Sequence, residues 1–377
     1  MRRTGWTAWT LTASAGLTLS LLVVPVVGGV TQLVELRGDT PFQETSQDAT
    51  QDATQDTTTG PTPQAEYLGT VDITASDVTH SGIYAHVPVG GISGIDCVGG
   101  ADPGTGSRCI AISDDPGQRG PVRAYDLDPV TGEVGEPIVL TDGRGVPYRP
   151  GVVDPESIRF TGSNASASTE TSRDAGLVWT AEGTPTVTVA DRHGRATGTL
   201  PVAEGIRRNQ GLEGLAVTGA GTDTVTDTAD DQRIITATEA APDGHDHPVI
   251  TVYEGEREVA SYNWPGTGIS EILADPTDAT GLLVLERGYT GGRGNSAMIW
   301  RTTLPGTGGA GTGVLKRELV ADLGALIGHS DVGNTEAMAW APGRHPGTTD
   351  ELPELLIATD DNFSDGQRGV LHRVRVR

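Results

Sequence analysis

The segments Gly211-Leu-Glu-Gly-Leu-Ala-Val217 and Ile234-Ile-Thr-Ala-Thr-Glu239 form a pair that recurs, in altered form, through most of the chain. Each is a short apolar run with an acidic residue near one end, and no 3.6-residue periodicity of useful length runs through either. The first has counterparts at Gly91-Ile-Ser-Gly-Ile-Asp96, Asp154-Pro-Glu-Ser-Ile-Arg-Phe160, Ile269-Ser-Glu-Ile-Leu-Ala274 and Asn334-Thr-Glu-Ala-Met-Ala-Trp340, with starts roughly 55 to 65 residues apart. The second has counterparts at Ile110-Ala-Ile-Ser-Asp-Asp115, Val178-Trp-Thr-Ala-Glu182, Leu282-Leu-Val-Leu-Glu286 and Leu355-Leu-Ile-Ala-Thr-Asp-Asp361. The spacing repeats too: Glu182 follows Glu156 by 26 residues, Glu239 follows Glu213 by 26, and Asp360 follows Glu336 by 24.

Further alternating strands follow at Pro185-Thr-Val-Thr-Val-Ala190, Val249-Ile-Thr-Val-Tyr253, Ala297-Met-Ile-Trp-Arg301 and Val370-Leu-His-Arg-Val-Arg-Val376. Four short strands per repeat describe the blade of a β-propeller, and the 53 Gly and 23 Pro supply the turns such a fold needs. The expectation is an all-β propeller over residues 67–377 with five clear blades and a degenerate sixth. A strand near Tyr67 to Ile73 pairing with Val370 to Val376 would close the ring and hide both sheet edges.

The motifs Arg208-Asn-Gln-Gly-Leu-Glu-Gly-Leu-Ala216, Leu283-Val-Leu-Glu-Arg-Gly-Tyr289, Asn334-Thr-Glu-Ala-Met-Ala339 and Thr359-Asp-Asp-Asn-Phe-Ser364 occur in this order. With Gly90-Gly-Ile-Ser-Gly94 and Ser113-Asp-Asp115, they resemble the successive motifs of the phytase-like family ("esterase-like activity of phytase"), secreted β-propellers. The family's usual Glu-Gly of the last blade is Glu336-Ala337 here, and its glutamine-rich end after Asn-Phe is reduced to Gln367. The resemblance implies a hydrolase of phosphate or other esters.

Inner strands of a propeller end around the central channel, so acids repeated once per blade are expected to meet at one mouth. Asp114, Asp115, Glu156, Glu286, Glu336, Asp360 and Asp361 are candidate metal ligands, and Glu182, Glu213 and Glu239 are candidate general bases in a catalytic role. Carboxylates brought together repel unless a cation offsets them, and hard oxygen donors suit Ca²⁺, with Asn209, Asn334 and Asn362 as possible amide ligands. Arg208, Arg287 and Asn209 are candidate substrate-binding residues. A second reading stays open, in which each acid braces backbone N–H groups or pairs with Arg208, Arg287 or Arg293. The domain is then a non-enzymatic propeller that binds a cell-envelope ligand or a protein. No Gly-x-Ser-x-Gly elbow supports a serine hydrolase, and Gly306 to Gly313 lacks the lysine and helix of a phosphate loop.

The 26 basic and 50 acidic residues leave a net charge of −24, which disfavours nucleic acid as a partner. Arg2 and Arg3 precede an uncharged run from Thr4 to Val34, so residues 1–36 are expected to be a signal peptide or an uncleaved membrane anchor. Residues 37–66 carry Gln-Asp-Ala-Thr at 47–50 and again at 51–54, and read as a disordered Thr/Asp/Gln/Pro-rich linker. The membrane is therefore a partner only through the N-terminal segment, and the domain is expected to be secreted or held on the outer face of the cytoplasmic membrane. Cys97 and Cys109, the only cysteines, suit a local disulfide in that compartment.

Overall fold

The computed structural model describes residues 64–75, 86–99, 108–161, 176–218, 232–290, 294–305, 313–347 and 351–377. The expected export segment and nearly all of the expected linker lie outside the described residues. So does the candidate Arg293.

Five antiparallel sheets, each built from four successive strands or their equivalent, make the fold. The first blade is β3 (Ile92–Val98), β4 (Arg108–Ser113), β5 (Arg123–Leu127) and β6 (Glu133–Val139), joined by the two-residue β2 (Thr74–Ala75), which pairs with β6 in parallel. The second is β7 (Pro155–Thr161), β8 (Gly176–Ala181), β9 (Thr186–Ala190) and β10 (Ala196–Leu200); the third is β11 (Leu212–Thr218), β12 (Arg233–Thr238), β13 (Val249–Glu254) and β14 (Arg257–Asn263). The fourth is β15 (Ile269–Asp275), β16 (Asp278–Thr290), β17 (Gly294–Thr303) and β18 (Glu318–Asp322), with the one short helix of the described residues, α1 (Leu323–Ile327), after it.

The last blade takes three strands from the C-terminus, β19 (Asn334–Trp340), β20 (Glu354–Asp360) and β21 (Val370–Val376). Its outer strand is β1 (Ala65–Asp72) from the N-terminus, registered from Ala65 opposite Val376 to Asp72 opposite Val370. The closure expected from the sequence is therefore present, and β1 starts two residues earlier than the composition of the linker suggested.

The blade count is five, which corrects the expected six. The N-terminal strands make no blade of their own: β1 completes the last blade and β2 extends the first. The inner strands β3, β7, β11, β15 and β19 pack each on the next, and β19 packs directly on β3, so the ring is full.

The core has the same fivefold division. Ile110, Ile112, Phe160 and Trp179 fill the space between blades one and two, and Val178, Leu200, Leu215 and Tyr253 that between two and three. Ile235, Val252, Tyr262 and Ile272 lie between three and four, Leu283, Ile299, Met338 and Leu355 between four and five, and Ile92, Ile95, Tyr125 and Leu356 between five and one. Strand alternation makes this possible, because each inner sheet faces a neighbour on both sides and buries both sets of side chains. Cys97 and Cys109 face each other across β3 and β4 and form a disulfide.

Candidate functional site

One irregularity, repeated in all five blades, builds the site. Pairing between the first and second strand slips between Ile92 and Gly94, Pro155 and Ile158, Leu212 and Gly214, Ile269 and Glu271, and Thr335 and Ala337. A bulge leaves a residue without a cross-strand partner and re-aims its side chain. The residues so released are Ser93, Glu156 with Ser157, Glu213, Ser270 and Glu336, and the three glutamates line one cavity of about 990 Å³ at the end of the ring.

A second tier comes from the end of each second strand. Asp114, Glu182, Glu239 and Arg287 each donate their backbone N–H to the residue just before the neighbouring inner strand, at Gly91, Asp154, Gly211 and Gly268. Asp360, opposite Asn334, holds the same place in the last blade. The fourth blade thus contributes a guanidinium where the others contribute a carboxylate.

The two tiers form two triads whose carboxylate oxygens lie within 4.8 Å of one another: Glu182, Glu213 and Glu239, and Asp114, Glu336 and Asp360. Arg287 joins them. It donates to Glu239 at 3.3 Å from one nitrogen, and to Glu336 and Asn334 from another. Asn334 in turn donates to Glu336 at 2.8 Å and to Asp360 at 3.2 Å. Glu182 accepts the Gly211 N–H at 2.5 Å.

Burial dominates the electrostatics. It holds Asp114 up at about 9, with Asp360, Glu336, Asp154 and Asp115 adding to the rise. Glu336 rises to about 7 through burial despite Arg287, and Asp360 to about 6 through burial and Asp361. Burial and then Glu213 push Glu156 well above the carboxylate range, and burial and then Glu182 do the same to Glu213. Burial works to lower the Arg287 pKa, but Glu336, Glu213 and Glu239 outweigh it and raise it. A cluster this acidic is charge-deficient, so it holds either protons or a bound cation.

Of the sequence candidates, Asp114, Glu156, Glu182, Asn209, Glu213, Glu239, Arg287 and Glu336 line the cavity, and Asp360 sits beneath it. Four candidates fall elsewhere. Asp115, one residue past Asp114, is fully buried against Arg123 at 2.8 Å and caps the N–H groups of Gln118 and Arg119. Asp361, one past Asp360, accepts from the N–H groups of Gly91 and Phe363, both at 2.9 Å. Glu286, one before Arg287, accepts from Trp264 at 2.6 Å and Arg317 at 2.7 Å. Along β16 successive residues face opposite sides, which turns Glu286 away from the side of Arg287, whereas Asp115 and Asp361 lie just past β4 and β20 and are taken up by the loop N–H groups they cap. Arg208 is exposed and does not line it.

Asp154 and Arg119 line the cavity but were not among the candidates. Asp154 was legible as the residue opposite Glu182, in the place Asn334 holds in the last blade. Arg119 lies between strands, with no repeat to mark it.

Two solved structures share a distant likeness. A Kuenenia stuttgartiensis hydrazine synthase chain is 13% identical with a TM-score of 0.36, covering 74% of this chain and 65% of its own. A chain of the Chaetomium thermophilum polycomb repressive complex 2 is 12% identical with a TM-score of 0.35, covering 80% and 54%. This chain thus spans just under two thirds of the first and about half of the second, and likeness at this level says nothing of what it does. No curated protein matches the sequence. The phytase-like profile, described as esterase-like activity of phytase, matches residues 87–363. That span runs from just before the first inner strand to the aromatic residue beside the cavity, and the chain belongs to the phytase-like family.

Proposed function

We propose that the cavity is the active site of an ester hydrolase, acting on a phosphate or another ester, that works with bound hard cations, Ca²⁺ foremost. The observation that carries this reading is the pair of largely buried carboxylate triads gathered at one open cavity, with the Arg287 guanidinium bonded to a member of each. All-oxygen donors at this spacing match the coordination preferences of calcium, which takes six to eight oxygens. Glu182, Glu213 and Glu239 would hold one ion, and Asp114, Glu336 and Asp360, with the Asn334 amide close by, another.

A bound cation would polarise an ester oxygen and lower the pKa of a coordinated water. The protein's own groups supply the rest. Asp154, outside both triads, makes no side-chain hydrogen bond or ion pair among the described residues. Burial and then Glu182 raise it to about 6, so it is ionised at neutral pH and able to take a proton from water. In this reading Glu182, Glu213 and Glu239 act as ligands, and Arg287 fixes the two triads relative to each other.

The Cys97–Cys109 disulfide suits an oxidising compartment, and with the N-terminal apolar run it supports placing the domain outside the cytoplasmic membrane. The test is a calcium titration of the purified protein with a panel of phosphate and carboxylate esters, assayed before and after chelation. Calcium-dependent turnover of at least one ester is expected. Calcium binding without turnover on any ester would leave a binding propeller in its place.

A further inference from the structure

Only two cations line the cavity among the described residues, Arg119 and Arg287. Arg287 is committed to Glu239, Glu336 and Asn334. Arg119 is not: its guanidinium makes no hydrogen bond or ion pair among the described residues, although the chain carries 50 acidic side chains. Its single partner is an aromatic face, the Phe363 ring, with the guanidinium carbon 4.2 Å from the ring centre. A contact with an aromatic face uses none of the guanidinium's N–H groups, which remain available to grip a phosphate or carboxylate in two parallel bonds.

The surroundings hold this pair in place. Asp115 accepts the backbone N–H of Arg119 at 3.0 Å and is itself tied to the fully buried Arg123, whose guanidinium lies 5.9 Å from the other end of the stack, the same Phe363 ring. Phe363 and Asn362 both have left-handed backbones, with φ of 50° and 48°. Such a conformation is costly for a bulky residue and persists where neighbours enforce it. Here the Asp361 carboxylate takes the Phe363 N–H, and Gly90 and Gly91 leave room for the ring: a Cβ at Gly91 would come within 2.5 Å of it. The rim therefore carries a strained, braced aromatic under an unpaired guanidinium.

We propose that Arg119, presented on Phe363, is the residue that recognises an anionic group of the ligand at the rim of the cavity. It takes the role that the sequence assigned to Arg208, and it makes the site selective for anionic over neutral ligands. The proposal rests on reading the cavity as a ligand site and names the group within it that reads charge.

Phenylphosphonate, a phosphate-monoester mimic that cannot be hydrolysed, is the probe, titrated calorimetrically into the calcium-saturated full-length protein and its Arg119→Ala and Arg119→Lys variants. The expected result is binding by the parent, at least tenfold weaker binding by Arg119→Ala, and an intermediate Kd for Arg119→Lys, which keeps the charge and loses the fork. Melting temperature and calcium affinity of both variants should match the parent, because Arg119 is exposed and touches neither triad. Equal phosphonate affinity in parent and Arg119→Ala would overturn the proposal, as would no binding by the parent or a parallel loss of calcium affinity. Arg119-dependent binding in a protein that turns over no ester would keep this proposal and remove the hydrolase.

Discussion

Glu213 sits on the unpaired step of β11, so its carboxylate is re-aimed into the cavity at the cost of one ladder position. If it is a calcium ligand there, Glu213→Gln weakens the ion's hold and reduces the stabilisation that calcium gives by mass action. If it only braces the fold, the loss is about 1 to 3 kcal/mol and is the same at every calcium level. Melting curves of parent and variant across a calcium series are expected to diverge as calcium rises, and parallel curves would remove the ion from this triad. Deeper in the channel, Arg159 and Glu271 form a buried ion pair at 2.8 Å. Arg159 donates to the carbonyls of Ile95, Ile158, Ile272 and Met338, while Glu271 accepts the Leu215 N–H, so this one pair holds all five inner strands. Arg159→Met leaves a carboxylate buried without its partner and is expected to cost about 3 to 5 kcal/mol in urea unfolding. Combined with Glu271→Leu it should cost less than the two single changes added together. Strict additivity would show that the two side chains do not act as one lock.

Among the elements, the bulged inner strands and the closing strand carry the consequences. Glu271 looks like the fourth member of the Glu156, Glu213 and Glu336 series, yet the bulge in β15 falls on Ser270, so Glu271 is one step further along. At that step the other blades have Gly94, Ser157, Gly214 and Ala337, small enough to leave space for the Arg159–Glu271 pair. A Cβ at Gly94 would come 2.7 Å from the Ser157 backbone, which shows how closely the inner strands approach. Strand β1 ties the ring shut along the whole of β21, and just before it the Gln64 carbonyl accepts a further backbone bond from the Arg377 N–H. A chain beginning at Pro61 is therefore expected to melt with the full-length protein. Removing residues up to Asp72 deletes the seven-residue pairing with β21. At about 1 kcal/mol net per ladder bond, this costs several kcal/mol and exposes an edge open to association. Thermal melts and size-exclusion profiles of the two truncations decide it; equal behaviour would mean that β1 is dispensable.

Across the whole molecule, burial of acids couples stability to pH and to cations. Asp114 is held up at about 9, Glu336 and Glu271 at about 7, and Asp154 and Asp360 at about 6, in each case chiefly by burial. In the unfolded chain these groups titrate near pH 4. The folded state then binds more protons than the unfolded one, and stability falls as pH rises. Their contribution is complete below about pH 4 and lost progressively up to about pH 9. In chelator, the melting temperature is expected to fall from pH 5 to pH 9. Calcium should restore more of it at pH 8 than at pH 5, because cation and proton compete for the same oxygens. A melting temperature that rises over this range without calcium would contradict the charge-deficient cavity.

The propeller was legible in the chain because each blade writes the same local pattern: an apolar run, a small or acidic step, and a second run ending on a charge. Ring closure followed from two amphipathic segments at opposite ends of the domain, and the disulfide from the only two cysteines of a chain that begins with an export-like segment. The number of blades was not legible, since a short N-terminal strand reads the same whether it begins a blade or completes one; only the direct packing of β19 on β3 decides for five. Sequence also brought most of the cavity's acids together, but it could not separate Asp114 from Asp115, Asp360 from Asp361, or Glu286 from Arg287. Neighbours along or just past a strand differ in the side they face or the loop they cap, and that is set by where the register slips and where the strand stops. Arg119 had no pattern at all, because its position comes from a loop pinned by Asp115 and from a ring delivered by the far end of the chain. Local periodicity is a property of the sequence, whereas facing, register and long-range contact exist only once the blades close on one another.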